Sequence, residues 1–204
     1  MKRNFRLYFS VFIIVTLWSL SCDNSTDLAP NENRHELQVK LRSSYRALSV
    51  KQIQSISRIS IREKKDWGFW GHSTLDHNFE AKTINGDKIV IDPVTSLVWH
   101  QSGTPENIKL SYAKEWVTNL NNRGYAGYND WRLPTVEEAA SLLESSKKNN
   151  SLFIDPVFDK KQEWIWTGDS YDSNNGWSAD YSGGGVLTCN IDDGSYVRPV
   201  RSDN

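Results

Sequence analysis

The stretch Gly168-Asp169-Ser170-Tyr171-Asp172-Ser173-Asn174-Asn175-Gly176-Trp177 gathers the side chains that a sugar site uses. Aromatic rings lie against the apolar face of a sugar, while carboxylates and amides bond its hydroxyls. Asp169, Tyr171, Asp172, Asn175 and Trp177 are therefore the candidate ligand-binding residues. Their oxygens are also the hard donors that calcium takes. The competing reading is a solvated turn with Trp177 in the core, because Asn, Asp, Ser and Gly are ordinary turn formers.

Other reactive residues carry less. His72 and His77, with Asp76 between them, have a spacing found in zinc sites, but no further Cys or His is near in sequence, so a polar loop is expected and no metal is assigned. Cys189 is the one cysteine beyond Cys22, and a lone cysteine is first a small buried apolar residue. No Gly-x-Ser-x-Gly elbow occurs, and the Gly183-Gly184-Gly185 run lacks the Lys-Ser/Thr and the helix of a phosphate cradle. No catalytic residue is assigned, and the expectation is a protein that is not an enzyme.

These residues need elements to hold them. Lys82-Thr83-Ile84 and Lys88-Ile89-Val90-Ile91 flank Asn85-Gly86-Asp87 and read as a hairpin, since Asn-Gly tolerates the positive φ of a tight turn. Ser96 to His100 follows as a strand. Tyr112, Trp116, Val117 and Leu120 share a helical face, with Ser111 as candidate cap and Gly124 past the last turn. In Gly127-Tyr128-Asn129-Asp130-Trp131-Arg132-Leu133-Pro134-Thr135, Pro134 keeps Leu133 extended. Thr135 and Glu138 have capping-box spacing before the apolar stripe Val136, Ala139, Ala140, Leu143. The block from 127 to 144 reads as scaffold, because every residue in it has a structural role. Trp164 to Trp166, Trp177 to Tyr181, Val186 to Ile191 and Tyr196 to Arg201 read as late antiparallel strands, with Pro199 placing the last at an edge or a bulge.

The N-terminus has a different character. Lys2, Arg3 and Arg6 precede an uncharged apolar run from Leu7 to Leu20, the pattern of a secretion signal rather than of a membrane-spanning helix. Cys22 follows Ser21 and precedes a polar stretch, which resembles a bacterial lipoprotein box in which the cysteine is lipidated; ordinary cleavage leaving a free Cys22 is the alternative. Residues 1–22 are thus the expected signal peptide, residues 23–65 a polar tether, partly disordered or helical, and residues 66–204 the domain. Between 31 and 65, nine Lys/Arg against three Glu give +6, a basic segment suited either to solvent or to anionic lipid. From 66 onward, twelve Lys/Arg against twenty Asp/Glu leave −8, which argues against nucleic acid as a partner.

Asp92-Pro93-Val94-Thr95-Ser96-Leu97-Val98-Trp99, the block Gly127 to Thr135, Trp164-Ile165-Trp166-Thr167 and the closing Val197-Arg198-Pro199-Val200-Arg201 together resemble the Lcl C-terminal domain family over about residues 83–201. On that resemblance Asp130, Trp131, Arg132, Pro134, Thr135, Glu138, Arg198 and Arg201 are the structural signature. The resemblance implies an α+β, C-type-lectin-like domain in which two helices flank small antiparallel sheets and the first and last strands pair. It also implies a non-enzymatic adhesion module, since the named member is a collagen-like bacterial surface adhesin that binds sulfated glycosaminoglycans. No Gly-x-y repeat precedes the domain here, so a collagen stalk is not implied. Arg132-Leu133-Pro134-Thr135-x-x-Glu138 is similar to a motif of formylglycine-generating enzymes, which need two cysteines and copper where this domain has only Cys189. The expectation is a lipid-anchored envelope protein, at the outer membrane or surface rather than the inner membrane, that binds a glycan or matrix protein. A structural envelope protein with a protein partner is the alternative.

Overall fold

The computed structural model describes residues 38–203. The expected signal peptide, Cys22 and the first part of the expected tether lie outside these residues. The described chain is mixed α+β with two antiparallel sheets. Its elements in order are α1 (Val50–Ile53), β1 (Ile59–Lys65), β2 (Gly68–Ser73), β3 (Glu80–Ile84), β4 (Asp87–Asp92), β5 (Leu97–His100), α2 (Leu110–Asn122), α3 (Val136–Ser141), β6 (Trp164–Ser170), β7 (Asn175–Asp180), β8 (Gly185–Asn190) and β9 (Val200–Ser202). One sheet runs β1-β2-β8-β7-β6 and the other β3-β4-β5-β9.

Local signals produce the local elements. Asn85 and Gly86 take φ of 54° and 88°, as a two-residue hairpin between β3 and β4 requires. Thr135 caps α3: its hydroxyl accepts from Glu138 N at 3.3 Å, and its own amide donates to Glu138 Oε2 at 2.8 Å. α2 differs from expectation, since Lys109 occupies its N-cap without a side-chain bond and Ser111 lies inside the helix. Gly124 follows with φ 65° and turns the chain away.

Three larger expectations are corrected. The tether does not run to Lys65. Ile59 and Ile61 pack against the core, the pleat of β1 having a period of two. Leu48 and Ile53 are buried, so the folded unit begins well before residue 66. Nor is the expected helical part of the tether found at Leu41, Tyr45 and Leu48, although these residues keep near-helical spacing. This segment runs extended beside β6, where Leu48 N donates to Ser170 O at 2.8 Å and Ser170 N to Arg46 O at 3.0 Å, and only the capped turn α1 is helical. Finally, the first and last strands do not pair: β1 is the edge of one sheet against β2, whereas β9 pairs with β5 in the other. The last strand is also shorter than expected. Tyr196 is drawn out of it to bridge Ile165 on β6, because its amide and carbonyl bond Trp164 O and Trp166 N.

Two cores form. The larger packs α3 and the N-terminal segment on the five-stranded sheet, around Phe69, Trp177, Val186 and Leu143. The smaller sets α2 against the second sheet, around Ile89, Val117, Trp131 and Trp166. Trp99, Trp131, Trp166 and Trp177, four of the nine tryptophans in the chain, are buried and build core rather than surface.

Candidate functional site

The loop singled out by its sugar-like chemistry divides in the structure. Asp169 is buried in β6, where its carboxylate accepts from Arg42 Nη1 and Nη2 at 2.8 and 2.7 Å, Arg46 N at 2.7 Å and Val136 N at 2.8 Å. Glu137 clasps the same guanidinium through Nε and Nη2. Burial works against the Arg42 charge, but the hydrogen bonds from Asp169 and Glu137 outweigh it and hold its pKa above the ordinary range. Trp177 is fully buried and its indole donates to Leu48 O at 3.1 Å. Neither residue is exposed to solvent. Tyr171, 40% exposed, rests edge-on against Trp177, while Asp172 accepts from Asn174 N, Asn175 N and Asn175 Nδ2 and so closes its own turn. Those bonds hold the Asp172 carboxyl below its usual range. Of the five candidates only Tyr171, Asp172 and Asn175 stay together near the surface. Among the described residues no three His, Cys, Asp or Glu side chains converge as a metal-binding group, so Asp169 and Asp172 lend no geometric support to the calcium alternative.

The side chains of the signature block join separate elements of the fold. Arg132 makes a two-pronged ion pair with buried Glu138 at 2.7 and 2.6 Å. Asp130 receives Arg201 Nε at 2.7 Å, and that guanidinium lies 3.9 Å from the Tyr128 ring centre. Trp131 is buried between α2 and the second sheet and is fixed by paired bonds with Asn121. The Pro134 carbonyl accepts from Gly168 N, and the Thr135 hydroxyl donates to Arg42 O. Arg198 is fully buried among the Phe158 and Tyr181 rings and bonds to the carbonyls of Ser102 and Asp159; desolvation pulls its pKa down to about 10.

His72 lies in strand β2 rather than in the expected polar loop, and His77 and His100 are each held by neighbouring groups. His77 Nδ1 meets Asp92 Oδ2 at 2.7 Å and Nε2 meets Ser141 O at 2.8 Å. Both nitrogens face acceptors, so both donate, which leaves no lone pair for a metal. Burial is the largest single influence and opposes that charge, but the bond to Asp92, its negative charge and the Ser141 carbonyl together outweigh it and raise the His77 pKa. His100 has the opposite setting. Burial, reinforced by Arg198 and Arg123, drives it down to about 3, and the neutral ring stacks on Tyr125 at 4.3 Å. The pH consequences therefore oppose each other. The stability that His77 contributes is fully present below its unfolded pKa near ~6.5 and is lost as pH rises through its raised folded value. That from His100 is present above ~6.5 and is lost as pH falls toward its folded value. Imidazole proton shifts followed against pH will show one ring titrating above 6.5 and another unchanged to about pH 4. A His77 midpoint below the free value would rule out the charged assignment.

Cys189 is half-buried, and burial pushes its thiol up, away from the thiolate that a nucleophile requires.

A cleft that the sequence does not announce lies elsewhere. Asn107, Glu163, Trp164, Gly194 and Tyr196 line an open space of about 330 Å³. Trp164 is fixed by its indole donating to Ser182 Oγ at 3.1 Å, and Tyr196 by its amide donating to Trp164 O at 2.8 Å. Ile108 and Ser195 exchange backbone bonds, which brings Asn107 against Gly194; a Cβ on Gly194 would lie 3.0 Å from Asn107 Cβ. Glu163 is exposed and, among the described residues, has no ion-pair partner. Two half-buried rings, a carboxylate and an amide thus share one concave surface. A larger cavity of about 400 Å³ lies between residues 38–43 and the ends of β5 and β9, but no aromatic ring lines it.

The family model for the Lcl C-terminal domain matches residues 88–201. The chain belongs to this family. Comparison with curated proteins gave no match. The Lcl match begins within β4 and ends within β9, so it contains the whole cleft, whereas Arg42, α1, β1 and β2 precede it. In this Lcl domain Glu137, Asp169 and the Thr135 hydroxyl therefore also hold an N-terminal segment that comes from outside the matched region.

Proposed function

We propose that this protein is a lipid-anchored envelope protein whose domain is a non-enzymatic binding module for a glycan, with the Trp164 cleft as its site. The cleft carries the reading. Trp164 and Tyr196 bring to its lining the aromatic type that stacks on the apolar side of a pyranose, and Glu163 and Asn107 bring an acceptor and a donor for hydroxyls. The leader ending at Cys22 supports a lipid anchor, and membership in the Lcl C-terminal domain family supports an extracellular binding role on a C-type-lectin-like scaffold. Tyr171 and Asn175 serve as secondary contacts for a matrix ligand rather than as the main site.

The test is binding of the chain from Asp23 onward to an array of neutral and sulfated glycans and matrix proteins, with calcium and with chelator. Trp164→Ala should reduce a selective signal about 30-fold, the effect of losing a contact worth roughly 2 kcal/mol. Its melting profile should stay near wild type, because this ring is half-exposed. Undiminished binding by Trp164→Ala would remove the cleft from the proposal. Silence on every glycan, with co-purification of a fixed protein, would favour the structural role.

A further inference from the structure

From residue 38 to residue 65 the chain has eight Lys or Arg and a single acid, Glu63. Folding disposes of these charges unevenly. Arg42 is neutralised by Asp169 and Glu137, and Lys65 pairs with Glu63. Lys51, Arg58, Arg62 and Lys64 remain exposed and, among the described residues, have no carboxylate within ion-pair distance. They lie along one margin of the five-stranded sheet. β1 is its outer strand. α1 is held to the end of β1 by Gln54 Nε2, which donates to Lys65 O at 2.6 Å and Gly68 O at 2.7 Å, and this brings Lys51 to the same margin. The register slips between Ile61 and Glu63, so Arg62 sits at a bulge. Seven residues of strand span roughly 20 Å.

Two further observations define what this margin fits. None of the four cations lines either of the clefts described above, so they do not converge on a discrete anion. Spread along an edge, they match a plane of negative charge. Trp67, in the turn that follows Lys64 and Lys65, is half-exposed and stands edge-on to Trp70 at 5.1 Å. Tryptophan beside basic residues is the pairing favoured at a lipid headgroup boundary. The −8 carried by residues 66–204 would be repelled by the same surface and would turn this edge toward it.

We propose that this edge is a membrane-facing surface: Lys51, Arg58, Arg62 and Lys64 rest on anionic phospholipid headgroups, with Trp67 at the interface. It is independent of the glycan cleft. Each basic residue brought to such a surface multiplies partitioning about fivefold.

Sedimentation of the chain from Asp23 onward with vesicles tests this, because it carries neither the apolar leader nor the acylated cysteine. Phosphatidylglycerol-containing vesicles should retain the protein, pure phosphatidylcholine vesicles should not, and added salt should release it. The combined variant Lys51→Gln, Arg58→Gln, Arg62→Gln, Lys64→Gln should lose several hundred-fold in partitioning, as four fivefold factors require. If that variant fails to fold, Lys51→Gln with Lys64→Gln should lose about 25-fold. Equal binding to both vesicles, undiminished binding by the variants, or absence of binding overturns the proposal. Capture by a soluble sulfated polysaccharide without vesicle binding overturns it too, and reassigns the edge to a polyanion.

Discussion

Removal of residues 1–65 should abolish cooperative unfolding, whereas a chain beginning at Gln38 should melt as one unit. The shorter chain retains every Lcl-matched residue but loses β1 and leaves β2 as an open edge. It also loses Leu48 and Ile53 from the larger core, and the carbonyl that satisfies the Trp177 indole. Asp169 would lose three of its four described donors, keeping only Val136 N, together with the segment that covers it. A single substitution isolates the ion pair while that cover stays in place, and stranding one partner of a buried pair costs about 3–5 kcal/mol, comparable to the whole stability of many domains. Arg42→Ala in the full chain should cost about 3–5 kcal/mol and lower Tm by roughly 6–20 °C, measured by calorimetry. A shift of a degree or two would mean that water reaches Asp169 and that the segment is only loosely attached.

Glu138 should show the second large effect. Its carboxylate is fully buried, receives both prongs of Arg132, and closes the capping box on the Thr135 amide. Glu138→Ala removes all of this and should destabilise by about 3–5 kcal/mol in denaturant titration. Glu138→Gln separates the two roles, because glutamine still completes a capping box but no longer neutralises Arg132. It should cost about 1.5–3 kcal/mol, the worth of charge-assisted bonds. Adding Arg132→Met to Glu138→Gln should recover part of that loss by removing the stranded cation. If Ala and Gln cost the same, the capping bond contributes little and the pair alone matters.

The fate of individual residues shows how far a one-dimensional reading reaches. Asp169, Tyr171, Asp172, Asn175 and Trp177 looked equivalent, as five members of one polar-aromatic loop. Burial divides them, because β6 and β7 turn Asp169 and Trp177 inward onto a segment that approaches from residues 42–48. The cleft was illegible for a related reason. Asn107, Trp164 and Tyr196 come from three separate segments, and the strand signals at Trp164 to Trp166 and Tyr196 to Arg201 give no sign that the two meet. The crossing of residues 195–200 from one sheet to the other brings Tyr196 to Trp164.

Much of what depends on neighbours a few residues apart was legible in the chain alone, although the cap of α2 was not. Asn85-Gly86 makes its hairpin, Thr135 and Glu138 cap α3, and the strand around Trp164 to Trp166 forms as expected. These follow from φ preferences and short hydrogen-bonded rings, which are local physics. The same contiguous signals, in order, made the Lcl resemblance legible. Long-range packing fixed where the domain begins, which aromatic rings are buried and which carboxylates are available to a ligand. Arg42 meets Asp169 across 127 residues of chain. A composition that reads as a solvated basic tether cannot disclose that partner, because the pairing exists only once both sheets are closed and the acid has been withdrawn from water.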